Sequence, residues 1–384
     1  MARILFTAHS SVGHVRALVP AARIAAEHGH TVALAAPEAA AAEVAAHGVA
    51  HLPAGLDMRQ AVLEDVGPVA DLPHEERVHA VHHHGFAGRP APAMAADLVR
   101  LASEFKPEVI VREPTEFGGY LAAELLGLPH VTLAANGGTP GIVNEALLVR
   151  LGEHHEALGV LVEPSVAVLY RYLHGVLMPP AFDPSEATIP NACFYQQTSP
   201  RRLGERLPEW VADLDPARPV VLAALGTTGD NMSETPALLR RIGRALDQLD
   251  VNAVLVAGKH LTGEDVPGSR VRVVEWIAQP LMLEIADLFL THAGFNSVRE
   301  SLRAGVPLVA VPRSAEQPQN AARCQELGVA QVTQPSEATA TAIHDACAEV
   351  LGEPRYLMAA RALQRSIVAL PPLDTFVADL VALT

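Results

Sequence analysis

Asp287-Leu288-Phe289-Leu290-Thr291-His292-Ala293-Gly294-Phe295-Asn296-Ser297-Val298-Arg299-Glu300 reads as a buried strand, a tight turn and the start of a helix. Gly294 lets the backbone approach a ligand closely, and Asn296 and Ser297 suit N-cap or first-turn positions whose N–H groups point at an anion. A diphosphate fits such a turn. An ordinary capped helix with no ligand fits it too, and the stretch alone leaves both readings open.

The same unit recurs on either side. Pro219 to Ala224, Asn252 to Ala257 and Pro307 to Val311 read as strands around a helix from Pro236 to Leu249. In the first half the strands are Arg3 to Thr7, Thr31 to Ala35, Glu108 to Arg112 and His130 to Leu133. Between them lie helices from about Val15 to Glu27, from Pro37 to Ala46 and from Tyr120 to Leu126. This rhythm predicts an α/β fold with parallel strands and helices on both faces. Its restart after mid-chain, in 384 residues, predicts two domains. The proline-dense stretch from Pro179 to Pro219 reads as an irregular connection. The division expected is a first domain at 1–205, a linker at 206–217, a second domain at 218–365 and a carboxyl-terminal helix at 366–384. Open parallel sheets bind ligands beyond the carboxyl ends of their strands, so sites are expected in the loops Ala8 to His14, Gly226 to Asn231 and His292 to Ser297.

Composition narrows the partners. Hydrophobic residues are 49% and charged ones 18%, with mean hydropathy +0.20, which excludes a disordered chain. The net charge of −15 argues against nucleic acid and anionic lipid. A small anion held by backbone N–H groups remains open. Cys193, Cys324 and Cys347 have no disulfide or zinc spacing. No apolar run has the length of a membrane span or of a signal-peptide core. A cytoplasmic protein is expected.

Further motifs stand in order around the opening stretch: Trp276-Ile277-Ala278-Gln279 before it, then Ala304-Gly305-Val306-Pro307, Pro312, Glu316-Gln317 and Asn320-Ala321. This resembles the donor-binding signature of family 1 glycosyltransferases, the group that includes bacterial macrolide and antibiotic glycosyltransferases. Gly13-His14-Val15 with Pro20, followed by Gly29-His30-Thr31-Val32, resembles the family's first loop and second strand. The resemblance implies a GT-B fold, two facing Rossmann-like domains with a cleft between them. It implies an acceptor mainly in the first domain and a UDP- or dTDP-sugar in the second, as a co-substrate and with no metal.

Carried over by position, Trp276 matches the aromatic that stacks on the base, with Ile277 and Gln279 beside it. His292, Gly294, Phe295, Asn296 and Ser297 match the diphosphate turn, with Phe295 where plant enzymes carry Trp. Glu300 matches the acid that takes ribose hydroxyls, which favours UDP over dTDP. Glu316 and Gln317 match the pair that binds sugar hydroxyls, with Glu where the family has Asp. Thr227 follows Gly226 in a pair the family also shows, where a plain Thr-rich turn is the other reading.

Sugar transfer to a hydroxyl needs a base, and a histidine of ordinary pKa about 6.5 suits that task. His14, at a helix start after the first strand, is the candidate. The family pairs this base with an acid from the loop after the fourth strand of the first domain, which here is Glu113, again Glu for Asp. Glu116 competes for the role, and an ion pair of Glu113 with Arg112 is the bland reading. The sequence thus predicts an inverting transferase acting on a small, hydrophobic natural-product acceptor. A nucleotide-sugar epimerase and a non-catalytic sugar-nucleotide binder are the alternatives, and a homodimer is possible. Met58, Phe86, Met94, Ile142, Leu147 and Leu148 fit either an acceptor pocket or the core. His79, His82, His83 and His84 lie in a segment that reads as irregular, exposed or acceptor-lining rather than metal-binding.

Overall fold

The computed structural model describes residues 1–69, 72–134, 139–198, 202–226, 234–266 and 270–384. The chain forms two compact units, residues 1–203 with 369–384, and residues 204–368. Each is a parallel sheet wound on both sides by helices.

In the first unit the strands are β1 (Arg3–Thr7), β2 (Thr31–Ala36), β3 (His51–Pro53), β4 (Val109–Arg112), β5 (His130–Leu133), β6 (Leu173–Val176) and β7 (Ala192–Phe194). Their order is β3-β2-β1-β4-β5-β6-β7. Strands covered on both faces read as unbroken apolar runs, and Ile4, Leu5 and Phe6 of β1 are fully buried. One face packs on helix Val12–Glu27 and helix Leu373–Val381, and the other on helices Pro90–Phe105 and Gly118–Leu126.

The second unit holds β8 (Val220–Ala224), β9 (Asn252–Val256), β10 (Val271–Val274), β11 (Leu288–Thr291), β12 (Leu308–Ala310) and β13 (Ala330–Val332). Their order is β10-β9-β8-β11-β12-β13. The α/β doubly wound reading therefore holds for both halves.

Two segments differ from the sequence reading. The stretch between Pro73 and Pro90, read as irregular around the histidines, is helix His74–Ala80 continued by a π-helical turn at Val81–Phe86, and helix Met58–Val66 precedes it. Farther on lies helix Glu145–Leu158. The signals were local caps: Asp57 accepts from the Gln60 N–H at 3.0 Å and Asn144 from the Leu147 N–H at 2.9 Å. The proline-dense connection is likewise not all irregular, because a 3₁₀ turn at Pro184–Thr188 leads into edge strand β7.

The carboxyl-terminal stretch breaks at residues 369–372, and helix Leu373–Val381 packs into the first unit's core. A Cβ on Gly175 in β6 would stand 2.8 Å from Phe376 and 2.9 Å from Leu133, so glycine leaves room for that ring. Tyr195 Oη donates to Asp379 at 2.7 Å, and the Gln196 N–H donates to the Pro371 carbonyl at 2.7 Å. Phe376→Ala should cost about 3–5 kcal/mol, the usual range for an aromatic removed from a core. Urea unfolding followed by circular dichroism checks it, and an unchanged midpoint would show the tail to be dispensable.

Candidate active site

In each sheet the crossovers change direction at one place, between β1 and β4 and between β8 and β11. Ligand crevices open there, beyond the carboxyl ends. In the first unit Thr7 pairs with Arg112, so the loops that follow, starting at Ala8 and Glu113, emerge side by side.

Glu113 is fully buried, and its Oε1 lies 3.1 Å from His14 Nδ1 and 3.5 Å from His9 Nε2. The Thr115 N–H donates to its other oxygen at 2.9 Å, and the Thr115 hydroxyl donates to Oε1 at 2.5 Å. Burial alone would raise this carboxyl, but His14, His9 and Thr115 outweigh it and bring the pKa down to about 2. His14 sits in the first turn of helix Val12–Glu27, with its side chain 22% exposed. His9 is buried against the ring of Phe86, centroids 5.2 Å apart, and its Nε2 is 3.1 Å from the Thr115 carbonyl.

The competing acid is engaged elsewhere. Glu116 accepts from Thr7 Oγ1 at 2.6 Å and from the N–H groups of Gly118 and Gly119 at 2.6 and 2.8 Å, at the start of helix Gly118–Leu126. Arg112, also fully buried, donates to the carbonyls of Pro114 and Leu169 at 3.1 Å each. It holds up the Glu113 turn through its backbone instead of neutralising the carboxylate.

In the second unit Ala224 pairs with Thr291, which brings the residues after β8 beside the His292 turn. The His292 ring is held between two glycines. A Cβ would stand 2.5 Å from it at Gly226 and 2.4 Å from it at Gly294. Burial, helped by the charge of Arg313, lowers His292 to about 4, so it is neutral at pH 7. Ala293 has φ 62°, a left-handed conformation costly for a residue with a Cβ, and Asn320 Nδ2 donates to its carbonyl at 3.1 Å. Gly294 is the N-cap of helix Phe295–Ala304.

The other residues named from sequence gather around this turn. Glu316 Oε1 accepts from the Phe295 N–H at 3.4 Å. Gln317 Oε1 accepts from the N–H groups of Arg313 and Ser314 at 2.8 and 3.1 Å. Gln279 Nε2 donates to Glu300 at 2.8 Å, joining the Trp276 loop to the helix. Ser297 and Glu300 are buried, Asn296 is half-buried in the first turn, Ile277 is buried, and Trp276 is 51% exposed. Thr227 and Thr228 lie outside the described residues. Sequence reasoning missed His9, Thr115, Asn320 and Arg313 as site residues. The switch-point rule could have found the first two, since it singles out every polar group in the loops after β1 and β4.

The apolar residues weighed as an acceptor pocket belong to the core. Met58, Phe86, Met94, Ile142 and Leu147 are all buried in one cluster, with Leu148 packed against it. A cavity of about 870 Å³ is lined instead by His79, His83, His84, Asn144, Arg150 and other residues of helix Glu145–Leu158. His79 and His83 stack there with ring centroids 4.1 Å apart.

Residues 240–383 match the family described as Erythromycin biosynthesis protein CIII-like, C-terminal domain. The chain is 29% identical to NDP-glycosyltransferase YjiC of Bacillus licheniformis over 68% of each chain. It is 25% identical to the 4'-demethylrebeccamycin synthase of Lentzea aerocolonigenes over 96% of each. Among solved structures, glycosyltransferase VinC in complex with dTDP matches with TM-score 0.79 at 22% identity, covering 99% of each chain. Spinosyn rhamnosyltransferase SpnG matches with TM-score 0.83 at 20% identity, covering 100% of each. These structures share the fold.

Glu113 carries a pH signature. Its pKa is lower in the folded chain than the ordinary 4.5, so its contribution to stability is complete above about pH 4.5 and is lost as pH falls toward about 2. The stability difference between wild type and Glu113→Gln should therefore shrink as pH falls from about 4.5 toward about 2. Urea midpoints measured across pH test this, and a difference that grows on acidification would contradict it.

Proposed function

Because the chain belongs to the family 1 glycosyltransferases, in the natural-product group with the GT-B fold, we propose that it is an inverting O-glycosyltransferase with His14 as general base. The observation that carries this reading is the 3.1 Å approach of the buried Glu113 carboxylate to His14 Nδ1. With Nδ1–H donating to Glu113, Nε2 is the basic nitrogen and the carboxylate stabilises the imidazolium that forms. The acceptor oxygen bonds to the anomeric carbon as the carbon–oxygen bond to the diphosphate breaks. The proton passes to His14, the nucleoside diphosphate departs, and an α-linked donor yields a β-glycoside.

The donor is a nucleoside diphosphate sugar held by the second unit. Helix Phe295–Ala304 offers its N-terminal N–H groups and dipole to the diphosphate, and neutral His292 adds a hydrogen bond, without a metal. The dTDP bound by VinC supports this ligand class. Glu300, buried and already accepting from Gln279, favours a ribose and hence UDP. The acceptor is a small natural product carrying a hydroxyl. A hydrophobic acceptor agrees with the ring of Phe86, which lies 5.2 Å from that of His9 and 6.3 Å from that of His14.

His14→Ala should lower kcat by about 10²- to 10⁴-fold, the range for a general base. Mass spectrometry of product formed from UDP-glucose and dTDP-glucose with a panel of phenolic and macrolide acceptors measures it. A wild-type kcat in the variant removes His14 from the chemistry. Ser297→Ala and Glu300→Ala should weaken UDP binding by calorimetry, and full affinity in both would refute the donor assignment.

A further inference from the structure

The donor site as described has little fixed positive charge. His292 is neutral at pH 7, since its pKa lies near 4. A helix N-terminus supplies about half an elementary charge, whereas a departing nucleoside diphosphate bears several negative charges. A full cation stands beside the turn.

Arg313 follows β12, and its guanidinium Nη2 donates to Thr235 Oγ1 at 2.7 Å. Thr235 is buried and opens helix Thr235–Asp247, the element after β8. In the sheet β11 stands between β8 and β12. Neighbouring strands are about 4.8 Å apart, so a side chain reaching from the β12 loop to the element after β8 runs alongside the carboxyl end of β11. That end is the His292–Gly294 turn. The influence of Arg313 on His292 agrees with this placement.

The backbone of Arg313 is fixed as well. Gln317 Oε1 accepts from its N–H at 2.8 Å and from the Ser314 N–H at 3.1 Å. A second, separate observation points to an anion at the same turn. The Glu316 carboxylate accepts from the Phe295 N–H at 3.4 Å, so an oxyanion of the chain's own already sits at the first N–H of helix Phe295–Ala304.

We propose that Arg313 is an anion-binding residue of the donor site, whose guanidinium holds the diphosphate of the leaving nucleotide. This rests on reading the second unit as the donor site. A planar guanidinium can give two parallel hydrogen bonds to phosphate oxygens, and here it replaces charge that His292 does not carry. The Glu316 carboxylate gives up the Phe295 N–H when the diphosphate arrives and is released toward the sugar.

Calorimetry on the full chain tests the assignment with UDP, and ligand-observed NMR with uridine. Arg313→Gln should bind UDP about 10- to 100-fold more weakly, as expected for a hydrogen bond to a charged group, with a shallower dependence on salt. Uridine binding should be unchanged, and Arg313→Lys should recover part of the UDP affinity. Unchanged UDP affinity in Arg313→Gln would overturn the proposal. So would equal weakening of UDP and uridine, which marks a structural role, or weakening seen only with a UDP-uronate, which assigns the guanidinium to a sugar carboxylate. Wild-type protein that binds neither UDP nor dTDP would refute the donor-site reading itself, a result distinct from failure of the Arg313 variants alone.

Discussion

A carboxylate shut away from water is costly unless its surroundings replace the solvent, and Glu113 imposes that condition on the first unit. Two imidazoles and Thr115 meet it. Arg112 then keeps the turn in place from below, donating to main-chain carbonyls inside a cage of Phe117, Tyr120 and Tyr170, whose rings lie 5.6, 5.9 and 5.7 Å from its guanidinium. The arrangement runs from β4 through the loop to His14. Its rigidity comes from packed neighbours, so the fold itself sets the geometry of the His14–Glu113 pair.

The second unit solves a different problem. Its turn packs a buried imidazole against main chain, and a side chain at Gly226 or at Gly294 would meet the His292 ring. The left-handed Ala293 carries the strain of that turn, and the Asn320 amide holds its carbonyl. Backbone strain of this kind needs such support to persist. The His292 imidazole is thereby fixed as a neutral hydrogen-bonding group and not as a cation.

Both sheets were legible in the sequence because their central strands are unbroken apolar runs bounded by glycine and proline. Strands away from the sheet centre escaped. β3 has three residues, and β6 contains His174 and Gly175, so neither shows the apolar run. The His79–His84 segment escaped because its polar surface hides the helical period and the N-cap of its helix, Pro73, makes no side-chain hydrogen bond. At the site, the family resemblance singled out Glu113 and His14 but not the buried partners His9 and Thr115. Their roles depend on strands β1 and β4, distant in sequence, lying side by side. The apolar residues of the first unit were ambiguous for a related reason: composition does not tell a pocket wall from a core, and only packing assigned them to the core.

The two glutamates that stand where the family pattern has aspartate share one physical reason. At 113 and at 316 the chain carries Glu where Asp is usual, and each longer side chain ends on a main-chain N–H: that of Thr115 for Glu113, and that of Phe295 for Glu316. An aspartate on the same backbone would fall about one carbon–carbon bond, roughly 1.5 Å, short of those groups. In the first unit the extra reach lets one buried carboxylate touch both the Thr115 turn and the His14 ring. In the second it places a charge at the head of helix Phe295–Ala304. The glutamates are thus not loose replacements for shorter acids, because each ties a functional loop to a neighbouring element.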